Sequence, residues 1–295
     1  MSRQPISHDQ PQPDERPVVQ LGVVIPAGPR DDVVDTVSSV LHYTDSSRVV
    51  VVVNDTGGPL DLGDDPTVHV VAPPKRARGV DGALWVKIAS GYVALTDRCR
   101  PRVVLRMDGD ALMLGHGLAD ESERRFAAEP TVGMLGAHRR GPDGALRDFG
   151  PAARHLASEV GWRGLRKPLL RARLRALQRQ AGDGYEPGQH ALGGAYIHSG
   201  SAVDEMLRHG MLHNAVFARS GLSEDHIMGL LTCAAGFEIG DFSGPGDPMA
   251  IKWRGIPWSP AELLERGALV THSVRSWEDL DEPEIRRQFR ERRCA

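Results

Sequence analysis

Long apolar runs are missing from this 295-residue chain, and so is any large excess of charge of one sign. No hydrophobic stretch approaches the roughly 20 residues of a membrane-spanning helix, which excludes an integral helical membrane protein. A formal net charge of -3 excludes a general nucleic-acid binder, although local basic patches remain compatible with it. Cysteine is scarce. Cys99, Cys233 and Cys294 are odd in number and widely spaced, which excludes a disulfide framework and fits free thiols in a reducing compartment. The start carries no signal-peptide core, so a cytoplasmic location is expected.

What is present is ordinary for a globular α/β chain: 40% hydrophobic and 25% charged residues, with no internal repeat and no linker that would cut the chain into independent units. Residues 1–17 are rich in Pro, Gln and Asp and are expected to form a disordered tail. From residue 18 strand and helix patterns alternate. Leu21–Ile25 is a short apolar strand stopped by Pro26-Ala27-Gly28-Pro29. Asp31 and Asp32 open a helix with Val33, Val37, Val40 and Leu41 on one face. Val49–Val53 is a second strand, closed by the turn Asn54-Asp55-Thr56-Gly57-Gly58. Val68–Val71 suits a third, and a helix over about 82–95 turns Leu84, Ile88, Tyr92 and Leu95 inward. The second half is less regular. Val132–Leu135 suits a strand, Gly161–Ala181 a basic helix, and Gly193-Gly194-Ala195-Tyr196-Ile197 a glycine turn entering a strand. Ser223 caps a helix beginning Glu224-Asp225-His226.

Strands separated by helices predict one α/β domain with a mostly parallel central sheet flanked by helices. In such a sheet Pro26, Asp55 and the pair Asp108/Asp110 all fall at the carboxyl ends of strands and share one edge, where open α/β sheets bind ligands. The segment Val103-Val104-Leu105-Arg106-Met107-Asp108-Gly109-Asp110 is the most telling. A buried strand ends abruptly in two acids around a glycine, a donor set that suits a hard divalent cation holding a phosphorylated substrate.

Four segments, in this order, resemble the GT-A nucleotide-sugar glycosyltransferases, especially the family-2-like members. Val23-Val24-Ile25-Pro26 matches the opening strand, and Val51-Val52-Val53-Asn54-Asp55 the second strand with its nucleotide-binding acid. Asp108-Gly109-Asp110 is similar to the DxD signature, and Ser223-Glu224-Asp225 to the acidic pair that supplies the catalytic base. The resemblance covers roughly residues 18–275. It implies a single Rossmann-like GT-A domain over 18–295, with 18–113 as the nucleotide-binding half and 114–295 as the acceptor-binding half. It also implies a hexosyltransferase-type enzyme that moves a sugar from a nucleotide-diphosphate sugar to a hydroxyl acceptor, whether small molecule, glycan or lipid-linked. The cofactor implied is Mg²⁺ or Mn²⁺. Where relatives have Thr-Tyr-Asn after the opening strand's proline, this chain has Ala27-Gly28-Pro29, which removes a side chain that contacts the base.

The resemblance assigns Asp110, Asp108 and His272 to the metal, with Asp108 reaching the ribose or binding through water. Asp225, with Glu224 beside it, is the expected base, and inversion follows if Asp225 has that role; the position of His272 leaves retention open. Pro26, Ala27, Asp55, Asp108 and Gly109 are expected to line the nucleotide-sugar site. Lys252, Arg254 and Arg275 would neutralise the diphosphate, and Gly193-Gly194 would form the acceptor-side turn. Each has a plain structural alternative. Asn54-Asp55-Thr56-Gly57 makes a good turn without any ligand, acids in a first helical turn satisfy the helix dipole, and the three cations suit solvated surface. Trp253 and Trp258 suit stacking on a sugar or the base, but core packing is the first expectation for each.

Residues 162–180 contain seven Lys or Arg and no acid, with Leu165, Leu169, Leu170, Leu174 and Leu177 interleaved. The stretch suits a mobile lid, a peripheral membrane-surface helix, a contact for a phosphorylated acceptor, or a helix packed by its leucines with arginines in water. The basic run Arg286–Arg293 is less diagnostic still. Two other functions remain open: a sugar-phosphate nucleotidyltransferase, for which Pro26-Ala27-Gly28-Pro29-Arg30 is a poor version of the glycine-rich loop, and a non-catalytic nucleotide-sugar-binding protein.

Overall fold

Side chains alternate sides along a strand, so a strand buried on both faces must be apolar at every position. Three neighbouring strands meet that condition over Leu21–Ala27, Val49–Val53 and, Arg106 apart, Val103–Met107: β1 (Val18–Ala27), β2 (Arg48–Asn54) and β4 (Arg100–Met107), with the shorter β3 (Val68–Val71) beyond β2. The computed structural model describes residues 15–73 and 80–294. On one side, Val23, Ile25, Val50, Val52, Val103 and Leu105 pack against Val33, Val37 and Val40 of α1 (Val33–Tyr43). On the other, Val24, Val51, Val53 and Val104 meet Ile88, Tyr92 and Leu95 of α2 (Val80–Thr96).

The chain continues through β5 (Ala111–Met113), α3 (Leu118–Ala128), β6 (Val132–Gly136), α4 (Gly150–Val160) and α5 (Pro168–Ala181). Next come β7 (Ala195–Ser199), α6 (Gly200–Arg208), α7 (Glu224–Ala234) and β8 (Glu238–Asp241). The C-terminal part adds β9 (Met249–Ile251), α8 (Pro260–Glu265), β10 (Val270–His272), the short strands β11 (Ser276–Trp277) and β12 (Leu280–Asp281), and α9 (Glu282–Cys294). Seven strands form the main sheet in the order β3-β2-β1-β4-β7-β6-β8, and only β7 runs against its neighbours. The expected α/β architecture, a mostly parallel sheet between helices, is what the chain adopts.

A second sheet, β5-β10-β9, is built from strands only three residues long, of which the sequence marks just the short apolar, strand-like segment leading to His272. Its register sets His272 opposite Ala111, one residue beyond Asp110. Helices α8 and α9 close over it through Leu263, Ile285 and Phe289.

Two expectations need correction or delimiting. The basic stretch Gly161–Ala181 is not one helix: a 3₁₀ turn, Arg163–Arg166, precedes α5, which starts afresh at Pro168. Proline lacks the N–H that a continuing helix would need, but it suits a first helical position. Of the expected tail, residues 1–14 lie outside the described residues, whereas the Pro17 carbonyl accepts a 2.8 Å hydrogen bond from the Arg100 amide.

Under the sheet, His198 of β7 is fully buried, with Nδ1 2.8 Å from Tyr92 Oη and Nε2 3.1 Å from Thr232 Oγ1. Burial pushes its pKa from 6.5 down to about 3. The folded ring therefore stays neutral where the unfolded ring takes a proton. Its stabilisation is complete above pH 6.5 and is lost as pH falls towards 3, at about 1.4 kcal/mol per pH unit. In urea unfolding across this range, His198→Asn should reduce the pH slope of stability by one proton relative to wild type; an unchanged slope in the variant would contradict the assignment.

Candidate active site

Parallel β1, β2 and β4 end together, so residues far apart in sequence meet at one edge. The Asp55 amide donates to the Ala27 carbonyl at 3.0 Å, and the Thr36 hydroxyl to the Gly109 carbonyl at 2.7 Å. Pro26 and Ala27 are buried strand residues that can offer a ligand little beyond backbone. Asp55 projects beyond β2, with one carboxylate oxygen 3.0 Å from Lys87 Nζ. Asp31, expected only as a helix signal, instead accepts from the Gly28 amide at 2.7 Å and from Arg275 at 2.6 Å. Asp32 is the residue that caps α1.

Asp108, Asp110 and His272 converge so that one donor atom from each lies within 4.8 Å of the others. His272 Nε2 is 3.3 Å from Asp110 Oδ1 and 3.6 Å from Asp108 Oδ2. Neighbouring ligands on an octahedron with bonds near 2.1 Å lie about 3 Å apart, so small adjustments would complete a facial set. His272 Nδ1 donates to the Lys252 carbonyl at 2.7 Å, which turns Nε2 towards the carboxylates. Ser273 Oγ donates to Asp110 Oδ2 at 2.7 Å and Arg275 Nε at 3.1 Å, leaving Oδ1 towards the cluster. Burial alone would raise the Asp110 pKa, but His272, Ser273 and Arg275 hold it well below the usual carboxylate range. Two carboxylate oxygens and one imidazole nitrogen fit Mg²⁺ or Mn²⁺, with positions left for phosphate oxygens.

Arg106 is 0% exposed, inside a strand that is otherwise apolar at this end. One of its nitrogens lies 2.8 Å from Asp108 Oδ1 and 2.7 Å from Glu224 Oε1. Its guanidinium stands 5.4 Å from the Tyr196 ring centroid, and the Tyr196 hydroxyl donates to Glu224 Oε2 at 2.8 Å. Burial opposes its charge, and the two acids more than restore it. Burial pushes Glu224 up despite Arg106. Both Glu224 oxygens thus have buried partners, and Glu224 ties α7 to β4.

Asp225 is arranged differently. Its Oδ2 accepts from the Gly193 amide at 2.8 Å, and its Oδ1 from the His226 amide at 2.9 Å and from the Ser223 hydroxyl. Ser223 occupies the N-cap position but spends its hydroxyl on Asp225, not on a backbone amide. Burial would raise the Asp225 pKa, yet the neighbouring His190 and His226 and these hydrogen bonds hold it at about 2. Burial keeps His190 itself neutral at physiological pH, with its pKa pushed down to about 4.

Gly193 and Gly194 join the two clusters. Gly193 touches Asp225 through its amide, and a Cβ on Gly194 would fall 2.3 Å from His272 Nδ1. Gly194 also has φ of +104°, which L side chains rarely adopt. The carboxylate and the candidate cation ligands therefore flank a single dipeptide. Its Gly194 carbonyl accepts from the Asp108 amide at 2.7 Å.

No family model matches the chain, and no curated protein matches it. The solved structures to which it is similar include a mannosyltransferase from Pyrobaculum calidifontis in complex with GDP-Man and Mn²⁺, with 16% identity, TM-score 0.41, and coverage of 77% of this chain and 55% of that one. The bifunctional glycosyltransferase WbbM matches at 10% identity and TM-score 0.46, over 96% of this chain and 52% of that one. Glucosyl-3-phosphoglycerate synthase from Mycobacterium tuberculosis, in complex with Mn²⁺, UDP and glucosyl-3-phosphoglycerate, matches at 16% identity and TM-score 0.37, over 78% and 71%. The chain spans about half the length of the first two.

Of the three cations expected at the diphosphate, Arg275 is bound by carboxylates: Asp110, Asp31 and, at 2.7 Å, Glu282. Lys252 and Arg254 are exposed beside His272. Trp253 is no core residue: it is 71% exposed, and the Arg254 guanidinium stands 4.6 Å from its ring centroid, because its turn leaves the sheet between two charged neighbours. Trp258 is half-buried against α8, with Arg266 at 4.3 Å from its ring.

The sequence reading missed two arginines. Arg106 was signalled by a charge within a buried strand. Arg286, buried in α9, donates to the Gly109 carbonyl at 2.8 Å and to Asp35 at 2.9 Å, clamping the DxD turn to α1. Its signal was the opposing acid, Asp35, on the inward face of α1 among Val33, Val37 and Val40. Replacing Arg286 by Lys should keep the charge but lose the fork, and weaken Mn²⁺ binding by about 10–100-fold as for other outer-shell partners. Gly194→Ala should have a comparable effect by displacing His272. Calorimetric Mn²⁺ titration checks both, and wild-type affinity in either would refute that residue's role.

Proposed function

We propose that this chain is a divalent-cation-dependent glycosyltransferase that moves a sugar from a nucleotide-diphosphate sugar to a hydroxyl acceptor with inversion at the anomeric carbon. The observation that carries the proposal is the convergence of Asp108, Asp110 and His272 at the sheet's carboxyl edge, one dipeptide away from the ionised Asp225. Residues 18–113 would supply the donor half and 114–295 the acceptor half, with His272 and α9 reaching back to the donor side.

When bound, the cation supplies Lewis-acid stabilisation of the departing diphosphate, worth on the order of several kcal/mol. The protein supplies the rest. Asp55, Pro26, Ala27 and Gly109 form the wall next to which the nucleoside lies, with Asp55 as the polar acceptor. Lys252 and Arg254 stand exposed beside His272 and add positive potential where the diphosphate gathers charge. Gly193 and Gly194 carry no side chain, so backbone can approach the sugar.

Asp225 is the proposed base. Its low pKa keeps it ionised at physiological pH but makes it a weak proton acceptor. That suits a loose, oxocarbenium-like transfer. The acceptor hydroxyl becomes strongly acidic only as its oxygen bonds to the anomeric carbon, so the proton moves late and needs little basicity. Pairing with Arg106 and Tyr196 removes Glu224 from this role.

Two substitutions separate the parts. Asp110→Ala should abolish Mn²⁺-dependent binding of nucleoside diphosphates, tested with UDP and GDP by calorimetry; retained affinity would sink the cation assignment. Asp225→Asn should leave that binding intact while lowering donor turnover by about 10²–10⁴-fold. NMR of the product should show inversion, and a retained anomer would remove Asp225 from the role of base.

A further inference from the structure

Three large apolar side chains are left in solvent close together: Trp162 (84% exposed), Leu165 (51%) and Leu169 (74%). They belong to the 3₁₀ turn and the start of α5, whereas Leu170, Leu174 and Leu177 of the same stretch are buried. The inward leucines thus account for the fold of α5, and the outward ones serve nothing within the chain. Leaving a tryptophan and two leucines in solvent forgoes the gain that burying their apolar surface would bring.

The same face is strongly basic. Arg171, Arg175 and Arg179 recur every fourth residue, which stacks them along one side of α5. With Leu165, Pro168 and Ala172 they line a surface depression of about 280 Å³, three guanidinium groups over an apolar floor. Arg163 and Arg166 extend the charge along the adjoining cavity of about 680 Å³, which also reaches Trp162. Among the described residues, Lys167 is the only cation of this stretch with a carboxylate in salt-bridge range, Glu159 at 3.3 Å. Helical surface arginines are usually laced with acids; here the positive charge is left unbalanced while the whole chain is net negative.

We infer that the face formed by residues 162–179 docks on an anionic lipid surface. The chemistry matches at both levels: phosphate headgroups complement the arginine row, and Trp162, Leu165 and Leu169 enter the headgroup–acyl boundary. Duplex nucleic acid would satisfy the charge but not the exposed indole and leucines. The face is tied to the catalytic segment as well. Glu159, at the end of α4, accepts from the Ser220 hydroxyl at 2.6 Å and the Gly221 amide at 2.8 Å, just before Ser223-Glu224-Asp225. Docking here would set the acceptor side of the cleft next to the bilayer. Lipid binding itself stands whether or not the chain transfers sugar.

The full chain should co-sediment with phosphatidylcholine vesicles containing phosphatidylglycerol and not with phosphatidylcholine alone. Replacing Arg166, Arg175 and Arg179 together by Ala should lower partitioning roughly a hundredfold, at about tenfold or less per charge. The variant W162S/L169S should lower it despite intact charge. All five positions are at the surface, and circular dichroism and thermal melting check that the variants fold. Arg124→Glu, on a distant helix, should change partitioning far less than the triple variant. The inference fails if anionic vesicles are not bound, if the substituted face binds them as well as wild type, if Arg124→Glu has an equal effect, or if a short DNA duplex competes the protein off the vesicles completely.

Discussion

A single buried guanidinium, that of Arg106, joins the two chemical halves of the site. It lies between Asp108 at the end of β4 and Glu224 at the start of α7, out of reach of water. Removing a charge from water costs several kcal/mol, so such a group persists only when its neighbours restore what solvation would have given. Two carboxylates do so here, with the Tyr196 ring packed alongside. Because each acid belongs to a different element, the restored balance also fixes the distance between the Asp108-Gly109-Asp110 turn and the helix that carries Asp225. Were Arg106 lost, burial would drive both acids towards their neutral forms and the tie between the two elements would go with the charge.

The donor side is locked by a second set of charges that arrives from the far end of the chain. Arg275 ties Asp110 to Asp31, and Arg286 ties Gly109 to α1 through Asp35. Neither element is near β4 in sequence. The short strand β10 makes the delivery possible, since its register with β5 fixes His272 beside the acid pair. The turn that would grip a diphosphate is therefore supported from below by the main sheet and from the side by the C-terminal segment.

How much of the molecule was legible in sequence depends on the length scale of each signal. Runs such as Val49–Val53 and Val103–Leu105 announce buried strands, and once parallel strands are granted, a shared edge for Asp55 and Asp108 is a matter of geometry. The glycine pair and the acids of α7 were visible for the same reason, each at the boundary of a strong pattern. β5 and β9 were not visible, because three residues carry no periodicity, and β10 showed only as a short apolar segment before His272. The different partners of Glu224 and Asp225 were hidden: adjacent acids in one helical turn differ only in what lies across from them, Arg106 and Tyr196 for one, Gly193 and Ser223 for the other. The tryptophans failed for a related reason, since residue type alone does not tell an indole that fills a core from one that shelters under an arginine.

Strand β7 alone runs against the grain of the sheet, and that reversal has a geometric result. Every parallel strand presents its outgoing end to the cleft, so the chain leaves the cleft there in a departing loop. β7 presents its incoming end, and the chain reaches the middle of the cleft from outside, by way of α4 and α5. The segment that enters β7 through Gly193 and Gly194 is therefore hung from the outer helices as well as built on the sheet. Because α5 packs against α7, whose Asp225 accepts from the Gly193 amide, a tilt of α5 has a continuous path to the glycine pair.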